Sequence, residues 1–135
     1  MDRSALAVVI LGSSATLSLL ALARYLRRSE QKRRVDWVAT HPPLFDPAFI
    51  TEAGVTEKQA TAALRVRSIV AEWAGVPPLH IYPDTSLADL SALEWDGANE
   101  AELELSLEEA FDPKSRKSLR GTKTVRDLVN RSFRS

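Results

Sequence analysis

The apolar residues of this chain fall into one segment that is hydrophobic on all faces and a remainder that is hydrophobic in stripes. Ser4 to Ala23, SALAVVILGSSATLSLLALA, runs twenty residues without a charge, about the length a helix needs to cross the hydrocarbon core of a bilayer. Tyr25 to Val38 continues that helix as a basic, then amphipathic, segment, with Tyr25 and Trp37 as candidate membrane-interface aromatics. Thr40 to Pro47, THPPLFDP, has three prolines in eight residues. It breaks the helix and reads as a stiff linker, with Phe45, Phe49 and Ile50 available to dock on the folded domain. The capping box Thr56-Glu57-Lys58-Gln59 starts a helix near Glu57. Ala60, Ala63, Leu64, Val66, Ile69, Val70 and Trp73 give that helix its apolar stripe, and Gly75 ends it.

Val76 to Pro83 carries three prolines and is loop, with Ile81 and Tyr82 as plugs for the core. A polar turn and a further loop lead to Asp96-Gly97. Asp96 is the expected N-cap of a second helix, whose inward face is Ala101, Leu103, Leu107, Ala110 and Phe111. Thr124 and Asp127 cap a closing helix with Val125, Leu128, Val129 and Phe133 on its apolar edge. No segment shows strand periodicity. The expected fold class is all-α: a bundle of three main helices with a short fourth, preceded by a single transmembrane helix. The boundaries are 1–24 for the anchor, 25–55 for the juxtamembrane segment and linker, and 56–135 for the helical domain.

Charge sharpens this division. The net charge is zero, but residues 1–34 hold seven Lys/Arg against two acids, 35–113 hold three against fifteen, and 114–135 hold eight against one. Arg24, Arg27, Arg28, Lys32, Arg33 and Arg34 directly follow the uncharged run. They are the candidate membrane-surface residues, and the positive-inside rule places the C-terminal domain in the cytoplasm of a single-pass protein. A signal peptide cleaved at Ala21-Leu22-Ala23 is the competing expectation; the length of the run and the arginines directly after the site weigh against it. The basic stretch Lys114 to Lys123 suggests a second contact with anionic lipid or an acidic partner. It lacks interleaved aromatics, so nucleic acid is not an expected partner.

The chain has no cysteine, which excludes disulfides, thiolate metal sites and a cysteine nucleophile. His41 and His80 lack ligand spacing to a second metal-binding group, so no metal is expected. There is no glycine-rich phosphate loop, no His-Glu metal helix and no nucleophile elbow. Glu108 and Glu109 diverge by about 100° on their helix, so they do not converge as an acid/base pair. An enzyme activity is not expected.

The order of signals from Arg65 to Phe133 is Ala74-Gly75-Val76, then Pro83-Asp84-Thr85-Ser86-Leu87-Ala88-Asp89-Leu90, then Ala101-Glu102-Leu103-Glu104-Leu105-Ser106-Leu107-Glu108-Glu109-Ala110-Phe111, then Thr124-Val125-Arg126-Asp127-Leu128-Val129. Over about half of the chain this resembles the acyl carrier proteins and related phosphopantetheine-attachment domains. In register with that family, Asp96-Gly97-Ala98 stands where the family has Asp-Ser-Leu. Gly97 has no hydroxyl to accept phosphopantetheine, so the resemblance is to serine-less relatives and implies no cofactor. It implies a membrane-anchored, non-catalytic recruitment module whose acidic helix, through Glu100, Glu102, Glu104, Glu108 and Glu109, holds a protein partner with a basic surface, while residues 4–23 occupy the bilayer. Two alternatives stand beside it. One is a working acyl or peptidyl carrier with phosphopantetheine on Ser91; the other is a small single-span structural subunit of a membrane complex.

Overall fold

In a computed structural model, the protein is described for residues 3–111, 119 and 121–133, with side chains from residue 16 onward. Among these residues it is all-α. The helices are α1 (Arg3–Thr40), α2 (Asp46–Ala53), α3 (Ala60–Ala74), α4 (Leu87–Ser91), α5 (Glu100–Ala110) and α6 (Val125–Ser132), with 3-10 turns at Glu57–Gln59 and Pro78–His80. The one β contact among the described residues is an isolated antiparallel bridge between Ser86 and Thr124.

α3 is the centre of the bundle and packs against α2, α5 and α6. Its buried face is Ala63, Val66, Arg67, Val70, Ala71 and Ala74. Against it lie Phe49, Ile81, Leu90, Leu103, Val125, Leu128 and Val129, all buried. Apolar burial at about 25 cal/mol per Å² is the main force holding such a bundle. The capping box forms at the expected residues, with Thr56 N–H donating to Gln59 Oε1 at 3.2 Å; it starts a 3-10 turn at Glu57–Gln59, from which α3 grows at Ala60. α6 begins as its sequence requires, with Thr124 Oγ1 accepting from Asp127 N–H at 3.3 Å. Asp127 Oδ2 in return accepts from the backbone N–H groups of Lys123 and Thr124, at 3.0 and 3.1 Å. Hydrogen bonds to the ionised carboxylate, the Lys123 one first, hold Asp127 below its ordinary pKa, and partial burial opposes them.

The proline-rich stretch does not run free. α2 begins at its end, with Pro47 in the first turn, where its missing N–H costs nothing. Gly54 closes it in the left-handed conformation (φ 70°). Phe49 is fully buried, Ile50 half-buried and Phe45 exposed, so one of the three apolar residues there does most of the docking. Arg67 fastens this stretch from inside. Its guanidinium is 1% exposed and donates to the carbonyls of Leu44 and, at 3.0 Å, Ile81. It also reaches Asp46 Oδ1 at 3.2 Å and lies 4.4 Å from the Phe49 ring centroid. Desolvation lowers the Arg67 pKa, and the attraction of Asp46 opposes that shift.

α1 is one unbroken helix of 38 residues, about 57 Å long. Its C-terminal third docks on the bundle. Trp37 Nε1 donates to His80 O at 3.0 Å, and Arg34 Nε donates to Ala74 O at 3.2 Å, at the C-terminal end of α3. Arg33 reaches Ala92 O, past the end of α4, at 3.3 Å. Both arginines thus place a cation where a helix presents unsatisfied carbonyls. His41 stacks on Trp37 with ring centroids 3.8 Å apart, and His80 Nδ1 lies 2.6 Å from His41 O. These contacts account for both histidines.

Among the described residues no helix is long and apolar enough to cross a membrane. Most of the uncharged run, 4–15, lies outside the residues whose side chains are described. So does most of the basic stretch 114–123, namely 114–118 and 120.

Candidate functional site

The acidic helix is present, with a different start. The expected cap, Asp96, is exposed in the preceding loop, and Asn99 caps α5 instead, its Oδ1 accepting from Ala101 N–H at 2.9 Å. The reason lies at Gly97, whose φ of 78° is left-handed and cannot belong to the first turn of a right-handed helix. The helix therefore begins at Glu100. Ala101, expected on the inward face, is exposed, while Leu103 is buried and Leu107, Ala110 and Phe111 are half-buried. The inward face of α5 is consequently narrower than its spacing suggests.

The five glutamates do not form one uniform face. Glu100, Glu102 and Glu109 are exposed, and Glu104 and Glu108 are half-buried. Glu104 Oε1 accepts from Leu119 N–H at 2.9 Å, which gives it a structural task in holding the chain before α6. The exposed carboxylates nearest to a binding surface are Glu102 and Glu109. They border a groove of about 500 Å³ between α3 and α5, lined by Arg65, Ile69, Glu72, Trp73, Glu102, Ser106, Glu109 and Ala110. On α3 the lining residues fall at i, i+4, i+7 and i+8, and so do those on α5, as two helices facing one another across a shared furrow require. Trp73 Nε1 donates to Asn99 O at 3.0 Å and fixes the start of α5 against α3. Arg65 closes one end of the furrow, with its guanidinium 6.0 Å from the Phe111 ring centroid.

The groove therefore sets three carboxylates, with the single guanidinium of Arg65 at one end, around Ile69, Trp73 and Ala110. Such a lining suits a side chain with an apolar stem and a cationic head. Glu72 is the carboxylate of this lining that sequence reasoning misses. Its one signal is the 3.6-residue period that puts it beside Trp73 and Ile69, on the edge of the stripe assigned to the core.

Gly97 sits in a hydrogen-bonded turn. Gly97 N–H donates to Glu94 O at 3.2 Å, and Ala98 N–H donates to Ser91 O at 3.1 Å. Ser91 Oγ donates back to Ala98 O at 3.2 Å. Ser91 is half-buried at the last residue of α4, and its hydroxyl closes this turn ahead of α5. A Cβ added at Gly97 would lie 3.5 Å from Ser91 Oγ, so space is not the constraint there; the positive φ is.

The six candidate membrane-surface cations divide in two. Arg24, Arg27, Arg28 and Lys32 are exposed on α1. Arg33 and Arg34 contact the bundle through the carbonyls of Ala92 and Ala74, and Arg34 also pairs with Glu30 at 3.8 Å and Glu94 at 3.6 Å. Trp37 is likewise engaged with the bundle, whereas Tyr25 is 68% exposed. Among the described residues no three metal-binding side chains come together. Comparison with protein-family models, curated proteins and solved structures finds no match for this chain.

Proposed function

We propose that this chain is a membrane-anchored, non-catalytic recruitment module with an acyl-carrier-like helical domain that lacks the attachment serine. Residues 4–23 hold it in the bilayer as a single-pass anchor, and the domain on the cytoplasmic side receives a protein partner with a basic surface. The observation that carries the partner reading is the furrow between α3 and α5, with Glu72, Glu102 and Glu109 around an apolar floor. It narrows the acidic face from five glutamates of one helix to carboxylates of two. The anchor reading is supported by the exposed Leu17, Leu19, Leu20 and Leu22 on α1, apolar surface that a bilayer would cover. The serine-less reading is supported by Gly97, whose left-handed φ suits glycine and not serine.

The test places a photo-crosslinking residue at Ser106 of the full chain in its native membranes, with and without Glu102→Lys and Glu109→Lys. The expected result is a discrete crosslinked partner that disappears on charge reversal and on raising the salt. A crosslink that survives the reversal refutes the acidic-furrow reading. Crosslinks found from the apolar run of α1 and none from Ser106 favour a single-span structural subunit. Intact mass after incubation with coenzyme A and a promiscuous phosphopantetheinyl transferase tests the remaining alternative: no gain is expected, and a gain lost in Ser91→Ala makes the chain a working carrier.

A further inference from the structure

The loop from Ala92 to Trp95 climbs along α1 towards its N-terminal half. Ala92 O meets Arg33 at 3.3 Å, Glu94 meets Arg34 at 3.6 Å, and Trp95 N–H donates to Glu30 Oε1 at 3.4 Å. Among the hydrogen bonds and ion pairs described between the bundle and α1, the one made by the Trp95 backbone lies nearest the uncharged run. Its side chain is 59% exposed, although an indole is among the costliest side chains to leave in water. Glu30 is seven positions beyond Ala23, about 10 Å along a helix, which leaves the loop backbone only a few Å, about the length of an indole side chain, outside the interfacial layer of about 5–7 Å of a bilayer whose hydrocarbon ends at Ala23. Tilt of α1 towards its docked face lowers the loop further.

Charge agrees with this placement. Arg24, Arg27, Arg28 and Lys32 are exposed on the intervening turns. Of the carboxylates beside Trp95, Glu30 and Glu94 are both paired to Arg34, leaving Asp96 as the exposed acid of the loop. An amphipathic indole on a loop docked to a helix that carries exposed cations on its membrane-side turns is a combination that membrane interfaces favour. Phe45, 63% exposed, serves as a contrast: it follows the C-terminal end of α1, and that end, at Thr40, is more than twice as far from Ala23 as Glu30 is.

We propose that Trp95 is a second membrane contact, resting its indole in the headgroup layer of the leaflet next to Ala23, so that the bundle is held against the lipid surface by α1 and by this loop together. The proposal rests on the anchor reading of residues 4–23. The absence of cysteine makes the test direct. Trp95→Cys, Phe45→Cys and Ser18→Cys are each labelled with an environment-sensitive fluorophore in the full chain, reconstituted into phosphatidylcholine/phosphatidylserine vesicles with and without lipids bearing a quencher near the headgroup. The expected result is blue-shifted, quenched emission at 95 and 18 and unquenched emission at 45. Quenching at 18 without quenching at 95 overturns the Trp95 contact and leaves the anchor standing. Failure of the chain to float with the vesicles overturns both, and equal quenching at 45 and 95 overturns the orientation on which the contact depends.

Discussion

Replacing Arg67 with methionine isolates what a buried cation contributes to this fold. The substitution keeps an unbranched stem of similar reach over the Phe49 ring, 4.4 Å from the present guanidinium, so it opens little cavity. It removes the donors to Leu44 O and Ile81 O, and each carbonyl left without a partner costs about 1–2 kcal/mol. The ion pair with Asp46 adds little, because that carboxylate is 61% exposed and a screened pair of this kind is worth about 0.5 kcal/mol. Relief of the guanidinium's own desolvation returns part of the loss. The net expectation for Arg67→Met is a destabilisation of about 2–3 kcal/mol, and for Asp46→Asn about 0.5 kcal/mol or less. Chemical denaturation of the full chain in micelles, followed by far-ultraviolet circular dichroism, measures both. Hydrogen exchange should show the amides of 44–53 opening first in Arg67→Met, since that is the stretch the side chain fastens. Equal losses in the two variants would refute the reasoning, because they would make the ion pair and not the two carbonyls the reason for burying an arginine.

Gly97→Ser introduces a hydroxyl at the turn and should fold with a loss of about 1–2 kcal/mol, the usual cost of a left-handed residue with a Cβ; the denaturation midpoint reads it. Arg33→Ala combined with Arg34→Ala removes two cations from helix C-termini, worth about 0.3–1 kcal/mol each, and should speed amide exchange in the docked third of α1 without changing exchange in α3. Asp127 has a folded-state pKa depressed below its ordinary 3.8. Its stabilisation is therefore fully present above that value and is lost as the pH falls through the lower folded-state value. Asp127→Asn should be less stable than the parent at neutral pH and should lack that part of the acid-induced loss, as parallel denaturation series at neutral and acid pH will show.

The elements that the sequence announces strongly are those whose local chemistry and packing agree. The stripe of α3 keeps a clean 3.6-residue period, and the Thr124/Asp127 pair caps α6 through bonds made within four residues. α2 is hidden because its buried face is only Phe49 and Ala53, too few to show a period, and because prolines around it read as breakers. Asp96 competes with Asn99 as the cap of α5 because both residue types cap well; the choice between them is made by the left-handed Gly97 in the loop. Arg67 sits on the α3 stripe between Ala63 and Ala71, and its charge argues against a place in a core that the carbonyls of a distant loop make hospitable. The furrow is half legible. Its α5 wall stands out as acid, but Glu72 enters only once α3 and α5 lie side by side.

The continuity of α1 has one more consequence. Under the proposed anchor, because the helix does not break between the uncharged run and the bundle, the azimuth of the domain around the membrane normal would be geared to the azimuth of the span. Each residue added or removed between Arg24 and Ser29 turns the furrow by about 100° and shifts it by about 1.5 Å. One insertion would point it away from any fixed neighbour in the same membrane, while a seven-residue insertion, two nearly complete turns, would bring it back to within about 20° at about 10 Å greater height. Direction and height of presentation are thus encoded by the same few residues, and counting along the helix separates them.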